Sequence, residues 1–120
     1  MKKILLIEDS KTIIKALAAM LEANGFQPIT AGDAESGIEK ALFEKPDLVI
    51  LDTVLPGMNG FDACQTIKAK MGDRPIPIIV MTGDIGAINS AKARASGADE
   101  YVAKTSDFSL LFDAIRKLIK

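Results

Sequence analysis

The 120-residue sequence contains no histidine, no tryptophan, a single tyrosine and a single cysteine. Without histidine there is no nucleophile-histidine dyad or triad, and with one thiol, Cys64, neither an internal disulfide nor a Cys/His zinc site can be assembled. Any chemistry falls to carboxylates, hydroxyls, lysines or a bound cation. Fifteen Lys and Arg stand against sixteen Asp and Glu, a net charge of -1, so there is no overall basic field of the kind that drives binding to nucleic acid or anionic membrane. No direct nucleic-acid binding is expected, and recognition should be local. No apolar run approaches the roughly 18 residues that span a bilayer. The opening Met1-Lys2-Lys3 followed by Ile4 to Ile7 imitates a signal peptide, but Glu8-Asp9 stops its apolar stretch well short of the about 7 to 15 residues such a segment needs. A cytoplasmic location without membrane attachment is expected, and a lone cysteine accords with a reducing compartment.

What is present describes one domain of ordinary size, residues 1–120. A mass of 12.8 kDa scales to roughly 6,300 Å² of accessible surface when folded, about a third of the unfolded value. Hydrophobic residues make up 48% and charged residues 26%, which favours a packed core over disorder. Short, continuous apolar runs recur at Ile4 to Ile7, Leu48 to Leu51 and Ile76 to Met81, with weaker ones at Gln27 to Ala31 and Glu100 to Ala103. Continuous runs are what strands covered on both faces look like. Helical spacing lies between them: Ile14, Leu17, Ala18 and Leu21 with Ser10 as cap and Asn24-Gly25 as stop; Ala34, Ile38, Ala41 and Leu42 after Asp33; Phe61, Cys64, Ile67 and Met71 before Gly72; an alanine-rich stretch from Ala87 to Ser96 closed by Gly97; and Phe108, Leu111, Phe112, Ile115, Leu118 and Ile119 after Ser106 or Asp107. Strand then helix, five times, predicts an α/β fold: an open, doubly wound, five-stranded parallel sheet with right-handed crossovers.

In such a sheet the ligand crevice lies beyond the carboxyl ends of the strands, where strand order reverses. The runs end in Glu8-Asp9, Asp52, Thr82 and Lys104, while the second ends in Ala31-Gly32, which carries no reactive group. With strand order 2-1-3-4-5 the acids meet at the reversal and the barren strand is an edge. Singly, each of these residues reads most simply as a cap or a solvated end. Together, acids, a hydroxyl and an ammonium at one edge form a better candidate site. Clustered carboxylates repel one another unless a cation lies among them, and oxygen donors without His or Cys favour Mg²⁺ or Mn²⁺ over Zn²⁺. Such an ion commonly completes its shell with phosphate oxygens, for which Lys104 and Thr82 supply charge and a donor. Neither nucleotide-binding glycine motif occurs.

Glu8-Asp9 after Ile4-Leu5-Leu6-Ile7, Asp52 followed by Pro56 and Gly60, Thr82 after Ile78-Ile79-Val80-Met81, and Lys104 three residues after Tyr101 resemble, across essentially the whole chain, the receiver domain of bacterial response regulators (CheY-like). The resemblance implies a flavodoxin-like (βα)5 fold in a two-component phosphorelay. It makes Asp52 the phosphoacceptor, and Asp9, Asp52 and the backbone carbonyl of Val54 the metal ligands, with Glu8 acting through water. Thr82 and Lys104 contact phosphoryl oxygens. Thr82 and Tyr101 form the switch that reports phosphorylation to the face made by the fourth helix, fifth strand and fifth helix. Val54 and Asp84 occupy variable positions that tune phosphoryl lifetime. Gly83, beside Thr82, reads either as a gap that opens the crevice or as a turn glycine. Receivers usually have proline after the lysine, joined by a cis bond; here Thr105 follows Lys104, and a non-proline cis bond costs about 2.5 to 4 kcal/mol, so this peptide is either trans with a rearranged loop or cis under strain.

The implied partner is a histidine kinase or His-containing phosphotransfer protein, because the donor histidine must come from outside this chain. The implied output is docking to an unidentified protein by a monomer or a weak phosphorylation-dependent dimer. The domain is expected to be a signalling switch that catalyses only its own phosphorylation and dephosphorylation. The alternatives are a receiver cut from a longer regulator with a DNA-binding or enzymatic output domain, and an aspartate-nucleophile phosphatase. The phosphatases carry a second acid in D-x-D, where this sequence has Asp52-Thr53-Val54.

Overall fold

The computed structural model describes residues 1–72, 75–83, 95–104 and 108–119. In chain order the elements are β1 (Lys3–Ile7), α1 (Lys11–Ala23), β2 (Gln27–Ala31), α2 (Ala34–Glu44), β3 (Leu48–Asp52), α3 (Gly60–Met71), β4 (Ile78–Thr82), β5 (Glu100–Ala103) and α4 (Ser109–Leu118). All strand pairs are parallel, and the sheet order is β2-β1-β3-β4-β5. Most of the alanine-rich fourth helical stretch, with Asp84, Lys92 and Arg94, lies outside the described residues. Its end is visible: Ala95 is helical, and Gly97 follows with φ 79°, the left-handed conformation that stops helices at glycine.

The continuous apolar runs are divided by the pleat, because successive side chains of a strand point to opposite faces. Leu5, Ile7, Val49, Leu51, Ile78 and Val80 pack with α2 and α3 through Ala34, Ala41, Phe61, Cys64 and Ile67. Ile4, Leu6, Leu48, Ile50, Ile79 and Met81 pack with α1 and α4 through Leu17, Leu21, Leu111, Phe112 and Ile115. Ile13 and Met20 lie against this second cluster, half-buried, so they broaden the core stripe of α1. The folded chain exposes 6242 Å², matching the area expected from its mass.

Four local features depart from the sequence pattern. β4 begins at Ile78, two residues later than the apolar run, because Pro77 has no N–H for the ladder; its carbonyl instead accepts from the Val49 N–H at 2.9 Å. Leu42 is exposed, lining a groove with Met71 and Ile76. Ser106 and Asp107 lie outside the described residues, and the residue preceding α4 is Phe108, at φ 55° with no side-chain cap bond. Lys45, which ends α2, is likewise left-handed, at φ 48°.

Cys64 lies fully inside the α2/α3 cluster, and burial pushes its thiol up to about 11. Because the thiolate is the reactive form, the native protein should resist iodoacetamide at pH 8 and be alkylated at once in denaturant, as intact-mass measurement would show.

Candidate functional site

Four strands deliver the polar side chains to one edge, and the backbone ladder fixes where each one emerges. β1 and β3 pair with Ile7 beside Leu51, β3 and β4 with Asp52 beside Met81, and β4 and β5 with Thr82 beside Ala103. The ladder continues past the strand ends. Glu8 N–H donates to the Ala31 carbonyl at 3.0 Å, Thr53 N–H to Met81 at 3.2 Å and Lys104 N–H to Thr82 at 2.7 Å. Each site residue is thus attached to the most buried part of the molecule. The crevice falls between β1 and β3, where the strand order reverses.

Lys104 joins the cluster together. Its Nζ lies 3.0 Å from Glu8 Oε2 and 3.2 Å from Asp52 Oδ1. Carboxylate oxygens of Glu8, Asp9 and Asp52 all lie within 4.8 Å of one another. Glu8 is 1% exposed; its Oε1 accepts from the Ser10 N–H at 3.1 Å, while its Oε2 is paired with the Lys104 ammonium. Asp9, by contrast, is exposed. Burial raises the Glu8 carboxyl above its usual value, the Asp52 charge adds to this, and the Ser10 N–H and Lys104 partly oppose it. For Lys104, burial acts downward, but the bond to Glu8 and the charges of Asp52 and Glu8 outweigh it and the ammonium is held above its usual value.

The donor set suits a hard divalent cation. All three candidate ligands offer carboxylate oxygen, and the sequence holds no histidine to compete. One side of the crevice is closed by backbone. The chain turns from Asp52 back into α3 so tightly that Gly60 N–H donates to the Thr53 carbonyl at 2.8 Å. A Cβ on Gly60 would collide with the Asp52 carbonyl oxygen and come within 2.7 Å of the Thr53 Cα. Only glycine lets the helix start this close to the Asp52 backbone.

The remaining candidates are placed less centrally. Thr82 is 1% exposed at the end of β4. Tyr101 is half-buried on β5 and packs against the α2/α3 cluster. The Val54 side chain is 74% exposed, projecting at the rim. Gly83 is exposed, has no positive φ, and among the described residues nothing lies within 4 Å of a Cβ built there. Asp84 and the Lys104–Thr105 peptide lie outside the described residues, yet Lys104 itself reaches both acids. Sequence reasoning missed Thr53: its Oγ1 donates to Thr82 Oγ1 at 3.1 Å, inside the protein. The available signal was register, since a threonine directly after a strand-end aspartate sits beside the threonine ending the next strand.

The family model for the response regulator receiver domain matches residues 4–116. Protein PilH of Pseudomonas aeruginosa is 34% identical over 119 residues, covering 99% of this chain and 98% of its own. The DNA-binding response regulator MtrA of Mycolicibacterium smegmatis is 34% identical over 103 residues, 86% of this chain but only 44% of MtrA. Among solved structures, the response regulator TrrA of Thermotoga maritima in complex with Mg²⁺-BeF superposes with a TM-score of 0.90 at 33% identity, covering 99% of this chain and 100% of that one. TrrA in complex with the histidine kinase ThkA gives a TM-score of 0.89 at 32% identity, with both chains covered fully.

The raised values at Glu8 and Lys104 act at opposite ends of the pH range but with the same sign, each lowering stability as pH rises through its interval. An acid whose folded pKa lies above its unfolded one takes up a proton on folding, so Glu8 makes stability fall as pH rises through that interval. The Lys104 contribution is complete below the ordinary lysine value and is lost as pH rises through its raised folded value. Lys104→Met leaves two buried carboxylates without their cation. Its deficit should shrink as pH falls toward 4.5, because the raised Glu8 carboxyl gains a proton more readily, and reach about 1–3 kcal/mol at pH 8. Urea midpoints at the two pH values check this, and a pH-independent deficit would contradict it.

Proposed function

The chain belongs to the response regulator receiver family, and from that premise we propose that Asp52 is the residue that accepts the phosphoryl group in a two-component system, with Lys104, Thr82 and the neighbouring acids as its apparatus. The observation that carries this reading is the ion-paired cluster itself: a carboxylate at the reversal of the sheet, 3.2 Å from an ammonium and beside two further acids. The donor is a phosphohistidine on a histidine kinase or phosphotransfer protein. The likeness to TrrA, which forms a complex with the kinase ThkA, supports a kinase partner.

In the transfer, a carboxylate oxygen of Asp52 attacks phosphorus, the new P–O bond forms, the P–N bond to the partner's imidazole breaks, and its electron pair stays with the leaving nitrogen. A carboxylate is a weak nucleophile, so the site works by aligning the reacting groups and by neutralising charge on the transferring oxygens. Lys104 supplies a fixed ammonium for those oxygens. Thr82 supplies a hydroxyl at the end of β4. Asp9, Asp52, the Val54 carbonyl and, through water, Glu8 would hold Mg²⁺ or Mn²⁺, which when bound offsets negative charge on the phosphoryl oxygens. The TrrA complex with Mg²⁺-BeF supports that assignment. Water later attacks phosphorus, the P–O bond to Asp52 breaks, the carboxylate is restored and phosphate leaves.

The readout runs from the site to a surface. New negative charge beside Thr82 draws its hydroxyl inward, and Tyr101, half-buried on β5, follows; the face of the fourth helical stretch, β5 and α4 then meets a downstream protein as a two-state switch. Residues 1–120 act in this reading as one receiver unit, with the variable positions Val54, Gly83 and Asp84 setting how readily water reaches the phosphoryl group. Val54, exposed where a D-x-D phosphatase would place its second acid, argues against that enzyme class.

Acetyl phosphate with Mg²⁺ should add one phosphoryl group per chain. Chelation with EDTA, or Asp52→Asn, should abolish the mass increase, while steady hydrolysis of p-nitrophenyl phosphate should be absent. Labelling that survives Asp52→Asn would remove Asp52 from its role, and sustained turnover of the ester would favour the phosphatase.

A further inference from the structure

Thr53 belongs to no part of the apparatus above, yet it is tied to the residue on which switching depends. The register that sets Asp52 beside Met81 continues by one residue and sets Thr53 beside Thr82, with their side chains on the same face of the sheet. The two hydroxyls meet at 3.1 Å, and both residues are buried, 9% and 1% exposed. The backbone around Thr53 is held on both sides: its N–H donates to Met81 and its carbonyl accepts from Gly60. Thr53 therefore cannot easily follow Thr82 if the latter moves, and a buried hydroxyl that loses its partner is left unsatisfied.

We propose that Thr53 is a positioning residue that latches the Thr82 hydroxyl in its resting place by donating to it, so that the inward movement of Thr82 toward a phosphoryl group on Asp52 breaks the Thr53–Thr82 bond. The proposal rests on the assignment of Asp52 and Thr82 above. The Thr53 hydroxyl and the phosphoryl group hold Thr82 in different positions, and a side-chain change at residue 53, between Asp52 and Val54 in the chain, alters the balance between resting and switched states without removing any group that would contact the phosphoryl oxygens or the metal. A ligand shifts a two-state equilibrium only by its differential affinity, so removing the latch lowers the opposing cost and shows directly in apparent affinity for a phosphoryl mimic.

The test is beryllofluoride titration in the presence of Mg²⁺, followed by Tyr101 fluorescence or by amide NMR. Thr53→Val keeps the shape and removes the hydroxyl; Thr53→Ala is the second variant should valine not fold. Either should bind beryllofluoride roughly five-fold more tightly than the unmodified protein, the effect of one net hydrogen bond. Thr53→Ser, which restores the hydroxyl, should return to the original affinity. In a Thr82→Ala background the same change at residue 53 should have no effect, which separates a latch from a general loosening of the fold. Equal or weaker binding by Thr53→Val and Thr53→Ala, or a gain that persists without Thr82, overturns the latch while leaving Asp52 in place. Failure of the unmodified protein to bind beryllofluoride overturns the phosphoacceptor reading, and the latch with it.

Discussion

One ammonium between two carboxylates organises this molecule. Lys104 reaches Glu8 at 3.0 Å and Asp52 at 3.2 Å, while a third acid, Asp9, stands beside them. Negative charge exceeds positive charge at the cluster, and Glu8 is buried to the point that its ionised form is disfavoured. Such an arrangement contributes little to stability, because desolvation offsets most of what the ion pairs gain. Its value is chemical: a site already short of positive charge accepts a cation readily and then tolerates the oxygens of a phosphoryl group.

The rest of the fold holds that imbalance in place. Parallel strands buried on both faces give a rigid frame, and the backbone bonds of Glu8, Thr53 and Lys104 to neighbouring strands carry the rigidity one residue beyond the strands, to the reactive groups. Gly60 brings α3 against the Asp52 backbone, so the aspartate projects from a turn with no slack. Beside these fixed charges the Thr53 and Thr82 hydroxyls share a buried hydrogen bond, the contact on which the proposed latch rests.

Most of the fold was legible in the sequence because its physical causes are local. Runs such as Leu48 to Leu51 mark strands covered on both faces, and Asn24-Gly25, Gly72 and Gly97 mark helix ends by backbone preference alone. The candidate site was legible for a different reason: strand ends carry the chemistry of open parallel sheets, and four of five ends bear polar groups. The Thr53–Thr82 contact was not legible as chemistry, since it depends on the register between two strands 29 residues apart in sequence. Nor was the exposure of Leu42, which helical spacing places on the buried stripe but which lines an open groove beside Met71 and Ile76. Lys104 is held by the β4 ladder through its backbone N–H, ahead of the position where Thr105 stands for the usual proline.

The central claim is that this cluster makes Asp52, and neither of its neighbouring acids, the point of phosphoryl attachment. Its most direct test is borohydride reduction of the acetyl-phosphate-treated protein followed by peptide mass mapping, since hydride converts an aspartyl phosphate to homoserine. The account predicts homoserine at position 52 alone, with Glu8 and Asp9 unchanged. Reduction at Asp9 or Glu8, or at no carboxylate in a protein that has demonstrably gained a phosphoryl group, would contradict it.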